Sequence, residues 1–244
     1  MVAIKAALTG EPTAAERAWI DRIEQTRAEL ERSKILFEDE DFGMGKQAKF
    51  GDESQTTTRS IGTMTLLSSK PQRWAYLLFR LIRELKPKSG LELGACVGIS
   101  AAYQAAALDL NGSGRLVSLE GARTLAETST HTLKELGLDD RASVRVGRFT
   151  ETITAALADL EPLQWAFIDG HHDEVATLQY MEEILQHAAD QAVFVFDDIN
   201  WSGGMQRAWA QIVGDDRFGL TVDLHVVGIA VVGGAHRAIT LSYA

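Results

Sequence analysis

The stretch "LELGACVGISAA", residues 91–102, combines a short apolar strand, a turn with two glycines and the start of a helix. Gly94 and Gly98 let the backbone turn sharply and approach a ligand, and the helix N-terminus offers free N–H groups to an anion. The dinucleotide fingerprint G-x-G-x-x-G does not fit, because Cys96 and Ile99 stand where its second and third glycines would be. The stretch therefore predicts a ligand-binding strand–turn–helix unit that differs from an NAD site.

Downstream of this unit, short apolar runs alternate with segments long enough to hold a crossover helix. The five runs are "GLELG", "RLVSLE", "ASVRVG", "QWAFIDG" and "AVFVFDD". This alternation predicts a parallel sheet covered on both faces by helices. The end of the chain, "GLTVDLHVVGIAVVGG" and "AITLSYA", is β-rich without an intervening helix, which predicts an antiparallel pair at the sheet edge. The fold class is therefore α/β, a doubly wound and mostly parallel sheet with an antiparallel C-terminal edge.

The N-terminal part of the chain has a different sequence pattern. Residues 12–36 predict an amphipathic helix that packs on its own domain or on a second subunit. Residues 39–62 are Gly-rich and polar, which favours a long loop, either a lid or a disordered segment. Residues 71–87 predict a second helix with a wide apolar stripe. We predict that residues 1–70 form an N-terminal helical extension with a lid-like loop, in the same domain or at a dimer contact, and that residues 71–244 form the main domain.

Composition limits the classes of partner. The 244 residues are 45% hydrophobic and 24% charged, which fits one large globular domain or a domain with an appended segment. A formal net charge of −10 leaves no long basic face for a nucleic-acid backbone. The single cysteine excludes an internal disulfide framework, and neither a signal segment nor a run of roughly 20 apolar residues is present. We expect a cytoplasmic protein with no nucleic-acid or membrane partner.

Four further motifs follow the glycine turn in a fixed order. "RLVSLE" ends in Glu120, about where an acid meets a ribose hydroxyl in nucleotide-binding βαβ units, although a solvated acid at a strand end is the alternative. "VGRF" then follows the third strand, "FIDGHH" ends the fourth and "DD" ends the fifth. In this order the sequence resembles the class I S-adenosylmethionine (SAM)-dependent methyltransferases, and among them the small metal-dependent O-methyltransferases related to catechol O-methyltransferase. The resemblance covers about residues 71–232 and implies a Rossmann-like sheet of seven strands.

The resemblance also implies a cofactor site. Gly94 and Ala95 would line the methionine part of SAM, and Ser100 would bind its carboxylate. Glu120 would hold the ribose hydroxyls, and the two residues after Gly147 would flank the adenine. Glu92, the acid two residues before Gly94, would lie behind the glycine loop. The complete implied set is Glu92, Gly94, Ala95, Gly98, Ser100, Glu120, Gly147, Arg148, Phe149 and Asp169.

Three acids end neighbouring strands. Asp169 follows the fourth strand and Asp197 and Asp198 follow the fifth, at the edge where open α/β sheets bind ligands. Two unit charges about 4 Å apart repel by about 4 kcal/mol at an effective dielectric near 20, so three such carboxylates require proton uptake or a cation. A hard divalent cation, most simply Mg²⁺, resolves the conflict. In the metal-dependent O-methyltransferases the corresponding positions are metal ligands. The alternative for Asp198 is a cap of the following turn.

A histidine stands near these acids in sequence. His172 lies three residues after Asp169, where the catechol branch of the resembled family carries a lysine that takes the substrate proton. Imidazole, with a reference pKa near 6.5, is a suitable base once a metal has lowered the pKa of the substrate hydroxyl. We predict His172 and Asp169 as catalytic residues, and the adjacent His171 competes for the role of base. Trp201 is either an apolar wall against the substrate or part of the core.

The resemblance and the acids together predict methyl transfer from SAM to a hydroxyl of a small molecule, assisted by a divalent metal, in a possible homodimer. One alternative is a metal-independent N- or C-methyltransferase. Another is a cofactor-binding protein without catalysis. An NAD-dependent oxidoreductase is the least favoured alternative, because the glycine spacing is wrong.

Overall fold

A computed structural model describes residues 2–41 and 55–241. Its helices are α1 (Val2–Thr9), α2 (Ala14–Glu31), α3 (Ile61–Ser68), α4 (Gln72–Leu85), α5 (Ile99–Leu110), α6 (Arg123–Leu136), α7 (Phe149–Leu160), α8 (Glu174–Leu185) and α9 (Gly203–Val213). Its strands are β1 (Leu36–Asp41), β2 (Gln55–Ser60), β3 (Ser89–Leu93), β4 (Arg115–Glu120), β5 (Ala142–Val146), β6 (Leu163–Ile168), β7 (Ala188–Phe196), β8 (Phe218–Asp223), β9 (Gly228–Val232) and β10 (Ala238–Thr240). Among these helices, none combines the length and apolar character needed to cross a membrane.

The main sheet has the strand order β10-β8-β9-β7-β6-β3-β4-β5. Strand β6 runs parallel to β3 and β7, β4 runs parallel to β5, and β9 runs antiparallel to β7 and β8. The predicted doubly wound α/β fold with an antiparallel C-terminal edge is therefore confirmed.

The predicted strand number of seven is one too low. The segment "AITLSYA" contributes β10, which pairs parallel to β8 and becomes an eighth strand. The backbone explains the addition: the Thr221 N–H donates to the Arg237 carbonyl and the Leu241 N–H donates to the Asp223 carbonyl. These bonds satisfy groups that the outer edge of β8 would otherwise expose.

The described residues divide into two compact units. The N-terminal unit comprises those of Met1–Glu40, Thr56–Lys88 and Ala95–Thr152. The C-terminal unit comprises those of Asp41–Gln55, Ser89–Gly94 and Ile153–Ala244. The division of the chain at residue 70 remains a prediction.

Within the N-terminal unit, the predicted amphipathic helix is present as α2. It begins with a capping box in which the Thr13 side chain accepts from the Glu16 N–H and the Glu16 carboxylate accepts from the Thr13 N–H. Ile20 and Ile23 are buried, and α2 packs on α3, α5 and α6 of its own unit. The helix predicted within residues 71–87 is confirmed as α4, which contacts α1 and α5.

The loop predicted for residues 39–62 is wrong at both described ends. Strands β1 and β2 pair there as a two-stranded sheet, and α3 begins at Ile61. Three consecutive threonines in β2 favour extended backbone because they are β-branched, and the Ser60 hydroxyl caps α3 by accepting from the Thr63 N–H. Residues 42–54, where the lid was predicted, lie outside the described residues.

Candidate functional site

Two predicted site residues, Asp169 and Asp197, lie next to each other in the C-terminal unit. The Asp169 N–H donates to the Leu93 carbonyl at 3.0 Å, and the Asp197 N–H donates to the Ile168 carbonyl at 3.0 Å. Both bonds extend the parallel ladders of β3, β6 and β7 by one residue beyond the strands. The two aspartates therefore lie at the carboxyl edge of these strands, where parallel sheets bind ligands.

A cluster of potential metal ligands forms at this edge. Asp169, His172 and Asp197 each offer one ligand atom, and these atoms lie within 4.8 Å of one another. The His172 Nε2 is 3.6 Å from Asp169 Oδ1. Asp197 is only 1% exposed, and a buried carboxylate is costly unless a proton, a hydrogen-bonding partner or a cation compensates it. Two carboxylates and one imidazole are a suitable donor set for a divalent cation that accepts oxygen and nitrogen ligands.

Asp198 stands beside this cluster but outside its 4.8 Å set. The chain bends at Asp197, and Asp198 adopts a left-handed backbone with φ 51°. Asp198 Oδ2 is consequently 3.9 Å from His172 Nε2. The helix that follows is capped by Ser202, whose hydroxyl accepts from the Met205 N–H at 3.1 Å. The Asp198 carbonyl accepts from the Trp201 N–H, which closes the turn through the backbone; capping by the Asp198 side chain stays a prediction.

The two adjacent histidines have different surroundings. His172 faces the carboxylates of Asp169 and Asp198, whereas His171 Nδ1 lies 2.7 Å from the Tyr180 hydroxyl. Both histidines have left-handed backbones, with φ 63° and 28°. This conformation costs a residue with a side chain about 1–2 kcal/mol, and such strain is typical of functional sites. His172 therefore lies beside the acids, and the assignment of the base to His172 rather than His171 stays a prediction.

The glycine turn needs its glycines for conformational reasons. Gly94 has φ 97°, and a Cβ atom there would lie 2.1 Å from the Asp169 carbonyl oxygen. Gly98 has φ 90°, and its Cβ atom would lie 2.7 Å from Ser129 Oγ. A larger residue at either position would meet both an unfavourable φ and a steric clash. The sharp turn expected from the sequence is therefore confirmed, and its close approach to a ligand stays a prediction.

Glu120 is built into the glycine turn of the N-terminal unit. Its two carboxylate oxygens accept from the backbone N–H groups of Cys96 at 2.8 Å and Ala122 at 2.9 Å. The alternative of a merely solvated acid is therefore wrong. These two bonds fix the orientation of the Glu120 carboxylate.

The other predicted cofactor residues differ in exposure. Arg148 is exposed, whereas Phe149 is buried at the start of α7, so the pair expected to flank the adenine is divided between surface and interior. The Gly147 N–H donates to the Glu120 carbonyl at 2.9 Å, which ties this turn to the end of β4. Three further members of the set are buried: Glu92, Ala95 and Ser100.

The sequence did not predict two side chains that contact the segments carrying the candidate site, those of Tyr180 and Asn200. Tyr180 contacts His171 from α8, nine positions away, and no motif surrounds it. Asn200 Nδ2 donates to the His225 carbonyl at 2.6 Å, which ties the loop after β7 to the turn between β8 and β9. Trp201 is 49% exposed, so its alternative as a core residue is wrong. No sequence pattern predicts the Tyr180–His171 and Asn200–His225 contacts, because each joins residues that are well separated along the chain.

Residues 91–199 match the family model described as a methyltransferase domain. No curated protein matches the chain. An O-methyltransferase from Bacillus cereus, solved in complex with S-adenosylhomocysteine (SAH), has 19% identity and a TM-score of 0.62, with 95% of this chain and 97% of that chain covered. The O-methyltransferase TomG from Streptomyces achromogenes, involved in tomaymycin synthesis and solved with SAM, has 20% identity and a TM-score of 0.60, with 94% of each chain covered. The methyltransferase PaMTH1 from Podospora anserina, solved with SAH, has 18% identity and a TM-score of 0.59, with 68% of this chain and 81% of that chain covered.

The solved structures show the fold, and the family match covers the strands and turns that carry the predicted site. Residues 91–199 match a methyltransferase domain, and the chain has the Rossmann-like fold of the solved methyltransferases to which it is similar.

Proposed function

We propose that the protein transfers a methyl group from SAM to a hydroxyl oxygen of a small molecule, assisted by a divalent cation such as Mg²⁺. The observation that carries this proposal is the cluster of Asp169, His172 and Asp197, whose ligand atoms lie within 4.8 Å of one another at the end of β6 and β7. Asp169 and Asp197 would hold the cation, and Asp198, which stands beside the cluster, would add a third carboxylate; His172 would stay off the cation and serve as the base. The cation supplies positive charge that lowers the pKa of the acceptor hydroxyl.

SAM is supported as the methyl donor by the structural neighbours that were solved with SAM or SAH. The N-terminal unit contributes a suitable acid, because Glu120 is oriented by two backbone N–H groups. Glu120 would therefore orient the donor.

The reaction is a direct displacement. The acceptor oxygen forms a bond to the methyl carbon while the bond from that carbon to sulfur breaks, and the electron pair remains on the sulfur of SAH. His172 would receive the acceptor proton at Nε2, and the nearby carboxylates of Asp169 and Asp198 would stabilise the resulting imidazolium. Most of the rate enhancement would come from holding donor and acceptor in line.

One alternative rests on the same geometry. His172 Nε2 lies 3.6 Å from Asp169 Oδ1, so this carboxylate would stabilise an imidazolium formed at His172 without a metal as well. In that case the acceptor atom need not be a hydroxyl oxygen, and transfer to nitrogen or carbon is possible. Metal dependence separates the two proposals.

The experiment combines binding and turnover. SAM and SAH affinity is measured by titration calorimetry, and methylation of catechol and a series of phenols and polyols is followed by mass spectrometry, with Mg²⁺ or with EDTA. We expect SAM to bind, and EDTA to abolish turnover while leaving SAH affinity nearly unchanged. Full turnover in EDTA would favour the metal-free alternative, and failure to bind SAM or SAH would contradict both proposals.

A matched pair of variants tests the metal ligand. Asp197→Asn keeps the size of a buried side chain but removes its charge, and we expect it to lose most Mg²⁺-dependent turnover. Asp190→Asn makes the same chemical change at an exposed position on the same strand, β7, and should behave as wild type. Equal activity of the two variants would argue against Asp197 as a ligand.

A further inference from the structure

The turn between β6 and α8 carries His172 and has an unusual backbone. His171 and His172 are consecutive non-glycine residues with left-handed φ angles. A turn of this kind persists only where its surroundings hold it, because other backbone conformations are more favourable for residues with a Cβ atom. The position of His172 beside Asp169 and Asp198 therefore depends on what fixes the turn.

Tyr180 is placed to fix it. The side chain projects from α8 and is only 2% exposed. Its hydroxyl lies 2.7 Å from His171 Nδ1, and the two rings stack with centroids 5.7 Å apart and an interplanar angle of 25°. Burial raises the pKa of the Tyr180 hydroxyl, and the charges of Glu183 and Asp173 raise it further, so the hydroxyl keeps its proton at neutral pH.

The helix that carries Tyr180 is itself anchored at the turn. Asp173, the residue after His172, caps α8 by accepting from the N–H groups of Val175 and Ala176. Asp173 thus holds the turn on the C-terminal side of His172, and Tyr180 holds it through His171 on the N-terminal side. His172 lies between two fixed points, which limits the freedom of its ring.

We propose that Tyr180 is a positioning residue of the methyltransferase centre: through His171 it holds the left-handed turn that places His172 beside Asp169 and Asp198. The proposal rests on the proposed function, because the value of a fixed His172 lies in its proton transfer or metal binding there. Tyr180 itself touches neither substrate nor cofactor in this role.

The test uses Tyr180→Phe, which removes the hydroxyl and keeps the ring. Tyr103→Phe is the matched control, since Tyr103 is also fully buried and its hydroxyl donates to Glu24 Oε1 at 2.8 Å within the N-terminal unit. Mn²⁺ affinity is measured by titration calorimetry, and hydrogen exchange is measured for the amides of residues 169–174. We expect Tyr180→Phe to weaken Mn²⁺ binding about tenfold and to accelerate exchange in the turn, as loss of an outer support does in metal sites. Tyr103→Phe should change neither quantity.

A second variant covers the case in which Tyr180→Phe does not fold. His171→Gly removes both the ring that Tyr180 holds and the cost of the left-handed backbone. Alone, His171→Gly should weaken Mn²⁺ binding and accelerate exchange in the turn, because the anchor is absent; where Tyr180→Phe folds, it should add nothing in this background.

The proposal is overturned if Tyr180→Phe retains wild-type Mn²⁺ affinity and exchange, if Tyr103→Phe causes the same losses, or if the two changes at Tyr180 and His171 are additive. Failure of the proposed function has a different signature, namely a wild-type protein that binds no Mn²⁺. The exchange comparison would then still decide whether Tyr180 holds the turn.

Discussion

Replacing Glu120 by glutamine tests the acid of the proposed cofactor site. The two carboxylate oxygens accept from the N–H groups of Cys96 and Ala122, one bond to each oxygen. Glutamine keeps one acceptor oxygen, so its NH₂ group must face the other backbone N–H. A hydrogen bond to a charged group contributes about 1.5–3 kcal/mol, and we expect the free energy of unfolding to fall by about 2 kcal/mol.

Ligand affinity should fall as well. If Glu120 holds the ribose, the variant loses at least one hydrogen bond from a ribose hydroxyl to a charged acceptor. At 1.4 kcal/mol for each factor of ten, the expected loss in SAH affinity is about 10- to 100-fold. Titration calorimetry measures the affinity, and denaturant unfolding measures the stability. Glu127→Gln, the same change at an exposed position on α6, is the control and should alter neither quantity. Unchanged SAH affinity in Glu120→Gln would show that this acid does not hold the ribose.

Two further predictions concern stability. Gly94→Ala should lower the free energy of unfolding by more than about 2 kcal/mol in denaturant titrations, because its Cβ would lie 2.1 Å from the Asp169 carbonyl oxygen at a φ of 97°; wild-type stability would contradict the close approach. Burial tends to raise the pKa of Glu16, but a backbone N–H and two guanidinium groups of α4 outweigh burial and hold this pKa below the usual value of a glutamate. A lowered folded-state pKa stabilises the fold above the unfolded pKa, so the stability difference between wild type and Glu16→Gln should be largest at pH 7 and shrink as the pH falls below about 4.5; a difference independent of pH would contradict the ion pairs.

Much of the fold was predictable from local sequence patterns. The strand and helix alternation after residue 89 and the two glycines of the first turn specify a parallel sheet, because each signal depends on neighbouring residues only. The proximity of Asp169 and Asp197 also followed, since parallel strands end at a common edge. The parallel pairing of β10 with β8 was not predicted. This pairing depends on the edge that β8 leaves open, and the sequence of β10 does not specify it.

The detail of the site was less predictable. Whether Asp198 approaches His172 depends on a left-handed backbone at Asp198, which aspartate tolerates but no sequence pattern demands. The choice between His171 and His172 depends on Tyr180, a residue on the following helix whose side-chain direction is set by packing. Side-chain partners brought together by tertiary structure leave no periodic signal along the chain, and these contacts appear only once the elements are placed.

The most direct test of the proposed centre is a crystal of the protein grown with SAH and soaked in Mn²⁺, with the ion located by its anomalous scattering. We predict a single strong peak within about 2.4 Å of carboxylate oxygens from both Asp169 and Asp197. An anomalous map with no peak at these carboxylates, from crystals in which SAH is bound, would contradict metal-assisted methyl transfer at this site.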